Sequence, residues 1–164
     1  MKTLCATTMI AVLLFIASTS QAQTNQTNLN QTELMKQFIG NWKVDMAKDT
    51  FLFWDAKSFG TGIECYYKTV SKGKTLMEGK QLFGYEKKTD KYVAANLVKG
   101  MDMEIWALWF TSNTKYLITF YSDISNPDKS SFLMYGEFTS PNVYTESYIV
   151  NGKPVLTYTY TKVK

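Results

Sequence analysis

The hydrophobic pattern changes period once along the chain. Leu34, Met35, Phe38 and Ile39 fall at i, i+1, i+4 and i+5 and so share one face of a short helix. Asn30 or Thr32 is placed to cap that helix, and Gly40 to end it. From Trp42 onward the period drops to two. The segments Asn41–Met46, Gly60–Ser71, Thr75–Glu86, Lys91–Val98, Met103–Phe110, Lys115–Ser122, Ser131–Thr139, Val143–Val150 and Pro154–Val163 are predicted strands. Short polar connections separate them, among them Lys72-Gly73-Lys74, Ser140-Pro141-Asn142 and Asn151-Gly152-Lys153. Tight hairpins force antiparallel neighbours, so the chain is an all-β meander. An open meander of this length exposes two edges, and closure removes them. The prediction is therefore an antiparallel up-and-down barrel of about 8–10 strands behind a short N-terminal helix, with a sandwich as the alternative.

Two segments depart from simple alternation. In "MEIWALWF", Ile105, Ala107 and Trp109 occupy one face and Trp106, Leu108 and Phe110 the other, so both faces need cover. The lumen covers one; the amphipathic helix or a second copy of the chain, as a homodimer, covers the other. Phe51-Leu52-Phe53-Trp54 lies between predicted strands and is bracketed by Asp49 and Asp55. An apolar run in a connection must pack on something, either as a lid over the barrel mouth or as a plug in the barrel end.

The last hairpin depends on its register. A three-residue loop Asn151-Gly152-Lys153 puts Tyr144, Glu146, Tyr148, Leu156, Tyr158 and Tyr160 on one face, whereas a two-residue Asn-Gly loop mixes the sets. The first register makes a phenol-rich wall with one carboxylate and is the one expected. In the second hairpin Glu64, Tyr66 and Lys68 share a face and Cys65 and Tyr67 the other. A Glu64 or Glu146 that points inward must be paired or have its pKa raised; a wet rim is the ordinary place for such a group. The residues expected to contact a guest are Trp42, Phe53, Trp54, Tyr66, Trp109, Tyr144, Glu146 and Tyr158.

Composition narrows the chemistry. The chain has no histidine, and all eighteen of its Lys+Arg residues are lysine. That removes Ser-His and Cys-His nucleophiles, His-ligated zinc, proximal-His haem and bidentate arginine clamps. The net charge of +4 is scattered among acids, which describes a solvated surface, and no nucleic-acid partner is expected. Aromatic residues make up 15% of the chain, a composition that suits a ring-lined cavity. No metal or cofactor is implied; the oxygen-rich run from Asp123 to Asp128 lacks calcium-loop spacing and is explained by Asn-Pro turn chemistry.

The N-terminal residues carry an address. Lys2, the apolar run from Met9 to Ala17 and Ser20-Gln21-Ala22 form the three parts of a secretory signal, residues 1–22, too short to span a bilayer. Residues 23–31 form a polar leader and 32–164 the barrel domain, secreted or periplasmic. Two N-glycosylation sequons in and beside the leader, at Asn25 and Asn30, matter only in a eukaryotic secretory pathway. Cys65 alone remains after cleavage, so no intramolecular disulfide forms, and it is expected as a small buried hydrophobe.

Gly40-x-Trp42 at the head of a meander resembles the start of lipocalin-like (calycin) barrels, fatty-acid-binding proteins included. "GYEKKTDKYVAANL", Gly84 to Leu97, is similar to a hairpin of bacterial lipocalin-like domains of unknown function, the DUF1579 type. The resemblance implies that Trp42 plugs the closed end of a barrel. Lipocalins pair that tryptophan with an arginine from the last strand; here Lys162 occupies the final strand and is the expected cation partner. Together these features point to a barrel that takes a small, largely apolar molecule in its lumen. A filled structural barrel and a Glu/Tyr-dependent isomerase or hydrolase are the alternatives.

Overall fold

A computed structural model describes residues 29–164; the predicted signal and most of the leader lie outside the described residues. The helix α1 (Gln31–Met35) continues as a 3₁₀ turn (Lys36–Phe38). Ten strands follow: β1 (Gly40–Ala47), β2 (Thr50–Phe59), β3 (Gly62–Ser71), β4 (Lys74–Glu86), β5 (Lys91–Val98), β6 (Glu104–Phe110), β7 (Lys115–Phe120), β8 (Leu133–Ser140), β9 (Val143–Val150) and β10 (Lys153–Val163). Each pairs with its sequence neighbours, and β1 pairs with β10, so the sheet is a closed antiparallel up-and-down barrel. No helix among the described residues is long and apolar enough to cross a membrane.

Asn30 caps α1 by accepting from the backbone N–H of Glu33 at 3.1 Å. Gln31, which the sequence places at the end of the leader, opens the helix and is buried. Its side chain donates to the carbonyl of Phe110 at 3.0 Å and accepts from the Phe110 N–H at 2.7 Å. The β5–β6 ladder stops at Tyr92↔Leu108, so this amide completes the end of β6 that β5 does not reach. The helix thereby closes one end of the barrel, and Phe38 projects into it. The Phe38 ring meets those of Tyr116 at 4.9 Å, Phe138 at 5.0 Å, Tyr144 at 5.6 Å, Trp54 at 5.8 Å and Phe110 at 6.0 Å.

The segment Phe51–Trp54 is neither lid nor plug. It belongs to β2, paired to β1 through Trp42↔Trp54 and to β3 through Trp54↔Tyr67. Its run of four apolar residues hides a strand that is covered on both faces. Leu52 and Trp54 pack inward, while Phe51 and Phe53 face out, where the Lys43 ammonium lies 4.0 Å from the Phe51 ring centre. Residue Phe38, not this segment, is the plug.

The seam of the barrel is short. β1 and β10 are joined by Asn41↔Val163, Trp42↔Lys162 and Lys43↔Thr161, all at the closed end. Trp42 is buried there and donates from its indole to the Phe38 carbonyl at 2.7 Å. The Lys162 ammonium stands 5.0 Å from the ring centre, in the cation position that the sequence suggested.

The last hairpin reaches the expected register by another route. Asn151 and Gly152 both have positive φ, 51° and 72°, which makes a two-residue turn flanked by Lys153↔Val150. A bulge between Pro154 and Leu156 then absorbs one residue, so that Leu156 faces Tyr148, Tyr158 faces Glu146 and Tyr160 faces Tyr144. The phenol-rich wall exists, produced by a bulge rather than by a longer loop.

Candidate functional site

Inside the barrel, above the Met35 and Phe38 floor, lies a cavity of about 300 Å³. Its wall is formed by Leu52, Trp54, Phe83, Trp106, Leu108 and Ile118, with Tyr144, Glu146, Tyr148 and Tyr160 on one side. Its mouth is at the end away from the helix, where Met77 and Met101 line it and are exposed at the surface. The cavity is thus a one-ended pocket, apolar below and around, with a few polar groups set into the wall.

Glu146 is the central polar group. It is 7% exposed, and the Tyr116 hydroxyl donates to its Oε1 at 2.9 Å. Burial pushes the carboxyl up to about 7, while hydrogen bonds from Tyr116 and Tyr160 pull it back down. The phenols respond in the opposite sense to a neighbouring acid: burial first, and then the nearby carboxylate, hold Tyr116 and Tyr160 well above the ordinary tyrosine value. The rim position expected for such a glutamate is not where Glu146 sits, because the alternation of β9 turns it inward with Tyr144.

One glycine makes this pair possible. In the cross-strand row Tyr116, Gly136, Glu146, Tyr158, strand β8 contributes Gly136. A Cβ at Gly136 would collide with the Tyr116 ring. The phenol therefore crosses β8 through the space that the missing side chain leaves and reaches the carboxylate two strands away. The same device recurs across the barrel: Tyr67 passes over Gly79, where a Cβ would also collide, and donates to Asn96 Oδ1 at 2.8 Å. Asn96 in turn donates to Glu104 Oε2 at 3.2 Å, near the mouth. Trp54 Nε1 donates to Gln81 Oε1 at 3.2 Å. Trp106 Nε1 is the exception among the described residues, a buried side-chain donor without a partner, on a residue that lines the cavity.

Of the residues expected at the site, the structure brings Trp54, Tyr144 and Glu146 to the cavity wall. Trp42 lies in the closed-end core beneath it, 4.7 Å from the Tyr144 ring. Tyr158 faces Glu146 across the hairpin, with its ring 6.2 Å from that of Tyr148. Phe53, Tyr66 and Trp109 are on the outside of the barrel. Neighbours in a strand point to opposite faces, so Phe53 cannot join Trp54, and Tyr66 lies opposite buried Cys65 and Tyr67. Tyr66 instead donates to Glu78 at 3.0 Å, and the Trp109 ring has the Lys91 ammonium 4.6 Å away. The apolar face of Trp106, Leu108 and Phe110 points inward and is no surface patch. Tyr148 and Tyr160 stand on the phenol-rich wall that the expected register gives, although neither was named among the guest contacts; Trp106 and the Tyr67–Asn96–Glu104 chain were missed. For Trp106 the signal was parity with Leu108 and Phe110; for Asn96 and Glu104 the polar type of the residue pointed outward and gave no sign of the lumen.

Cys65 is buried, and burial pushes its thiol far above the ordinary value, which leaves little thiolate for reaction. Among the described residues no group of three or more His, Cys, Asp or Glu side chains is arranged to hold a metal ion. In the oxygen-rich connection after β7, Asp123 Oδ2 accepts from Ser130 at 2.6 Å, a bond that ties the two ends of the loop. Compared with known proteins, the sequence matches no family model and no curated protein.

Proposed function

We propose that this chain is a secreted or periplasmic barrel of lipocalin-like type that binds a small, largely apolar molecule in its lumen. The observation that carries the reading is the cavity of about 300 Å³, ring-lined, floored by Phe38 and open at the opposite end. A barrel whose interior is filled by its own side chains has no need of such a space. The unpartnered indole of Trp106 adds support, because a guest oxygen placed beside it would satisfy a donor that the protein leaves unmet. The test is titration with the uncharged fluorophore N-phenyl-1-naphthylamine, followed by its displacement with decanol. Saturable binding of one dye per barrel, lost when Met134→Trp fills the cavity, is the expected result. Failure of a varied panel of apolar dyes to bind would overturn the reading.

The Glu146–Tyr116 pair favours a second reading, in which the buried carboxyl acts as a base on a guest and the barrel is an isomerase. Such an enzyme would exchange the α-protons of a bound ketone with solvent. Proton NMR of 2-decanone in D2O, with exchange no faster than in buffer, would dispose of it.

A further inference from the structure

The charges around the cavity say which class of guest it suits, given the lumen-binding reading on which this inference rests. Glu104 and Glu146 line the cavity, no lysine among the described residues does, and the chain contains neither arginine nor histidine. The lysines among the described residues are therefore placed away from the lumen wall. A fatty acid or any other anionic amphiphile would bring a third carboxylate to a buried wall with no cation to pair it, and desolvation alone would oppose that.

Glu146 itself has no cation. Facing it are Tyr116 from β7, Tyr158 and Tyr160 from β10, and Tyr144 and Tyr148 from its own strand, while β8 offers only Gly136. The Tyr116 phenol donates to one carboxylate oxygen at 2.9 Å, which leaves lone-pair sites on the acid for a guest. The rings beside it also have the right electrostatics. Tyr144, Tyr160, Trp106 and Phe132 line the same cavity as the acid, and the faces of such rings, unlike their edges, are electron-rich. A carboxylate set among ring faces is a site for a cation.

We infer that the lumen is built for an apolar amine, whose hydrocarbon body fills the space between Trp54, Trp106 and Phe132 and whose protonated nitrogen hydrogen-bonds to Glu146. Glu104, nearer the mouth, adds a second negative group along the entry path and draws cations inward. Binding requires Glu146 in its carboxylate form, so affinity strengthens as pH rises through the range in which Glu146 gives up its proton.

The experiment compares three guests of one chain length, decylamine, decanol and decanoate, by displacement of N-phenyl-1-naphthylamine from the full chain at pH 8 and pH 5.5, below their micelle concentrations. At pH 8 the amine should bind about tenfold or more tighter than the alcohol, with decanoate weakest. That preference should shrink at pH 5.5 and disappear in Glu146→Gln, which keeps a hydrogen-bonding group at the same place. Melting curves check that the variant folds, and the pH comparison on the unaltered protein stands without it. Decanol or decanoate binding as tightly as the amine at pH 8, or an amine preference undiminished at pH 5.5 or persisting in Glu146→Gln, would overturn the inference and leave lumen binding intact. A bound dye that none of the three displaces would overturn the inference alone, and failure of the dye itself to bind would overturn both.

Discussion

At the scale of single residues the site depends on an acid and a glycine. The Glu146 carboxyl rises from its ordinary 4.5 to about 7 on folding, so the folded state holds a proton that the unfolded state has released. The contribution of this group to stability is therefore fullest below pH 4.5 and falls, by about 3 kcal/mol in all, as pH rises to 7. Chemical denaturation of Glu146→Gln across that window should show this part of the pH dependence gone, with a gain in stability over the unaltered protein at pH 8. A variant whose profile parallels the original would place the titration elsewhere. Gly136→Ala tests the other half of the pair. The new methyl group displaces the Tyr116 ring, at a cost of about 1–3 kcal/mol, and removes a hydrogen bond that lowers the Glu146 pKa. The midpoint of the pH-dependent stability change should then move above its original position, a shift that simple overpacking would not produce. In the sequence the raised acid was legible only on the condition that Glu146 points inward, and the part of Gly136 was not legible at all. A glycine in a strand signals a close approach, but only the cross-strand row says that the approaching group is a phenol from the strand before, on its way to an acid on the strand after.

At the scale of elements, most of the chain was legible because alternation and turn chemistry agree. The short helix, its Asn30 cap and the hairpin turns fall where periodicity puts them. What failed was β2. Phe51 to Trp54 show no alternation because both faces are covered, Leu52 and Trp54 by the lumen and Phe51 by the Lys43 side chain. A strand of that kind cannot be told from a buried plug by period alone. The last hairpin shows the converse: the phenol wall was expected, but through a three-residue loop, since a bulge inside a strand leaves no mark on the pattern. Within α1 the anchor is Gln31, whose amide completes the end of β6; in the 3₁₀ turn that follows, Gln37 donates to the Asn113 carbonyl at 3.0 Å. Gln31→Ala leaves a buried N–H and C=O of Phe110 without partners and should cost about 1–3 kcal/mol. Hydrogen exchange offers a sharper check: the Phe110 amide should lose protection in this variant while the Ile118 amide keeps it. Equal loss at both would mean that the helix has no separate anchoring role.

At the scale of the whole molecule, the barrel sorts its charges. Lysines lie over outward-facing aromatic rings, as Lys91 does over Trp109, and at the seam over Trp42, while the cavity wall carries two carboxylates and phenols. The absence of arginine and histidine was plain in the composition and excluded much chemistry. It could not show that the remaining cations avoid the lumen, because that follows from which residue of each strand faces inward. The helix that closes one end, the glycine gaps through which phenols cross the wall and the cavity above Phe38 form one arrangement, a pocket with a single mouth. The central claim is that this pocket holds a guest. Native mass spectrometry of the protein purified from its own host, under gentle ionisation, tests it most directly. A single small-molecule adduct at one copy per barrel, absent from the denatured mass and from Met134→Trp, is the predicted result. A bare protein mass under the gentlest conditions, for the unaltered chain as for the filled variant, would contradict it.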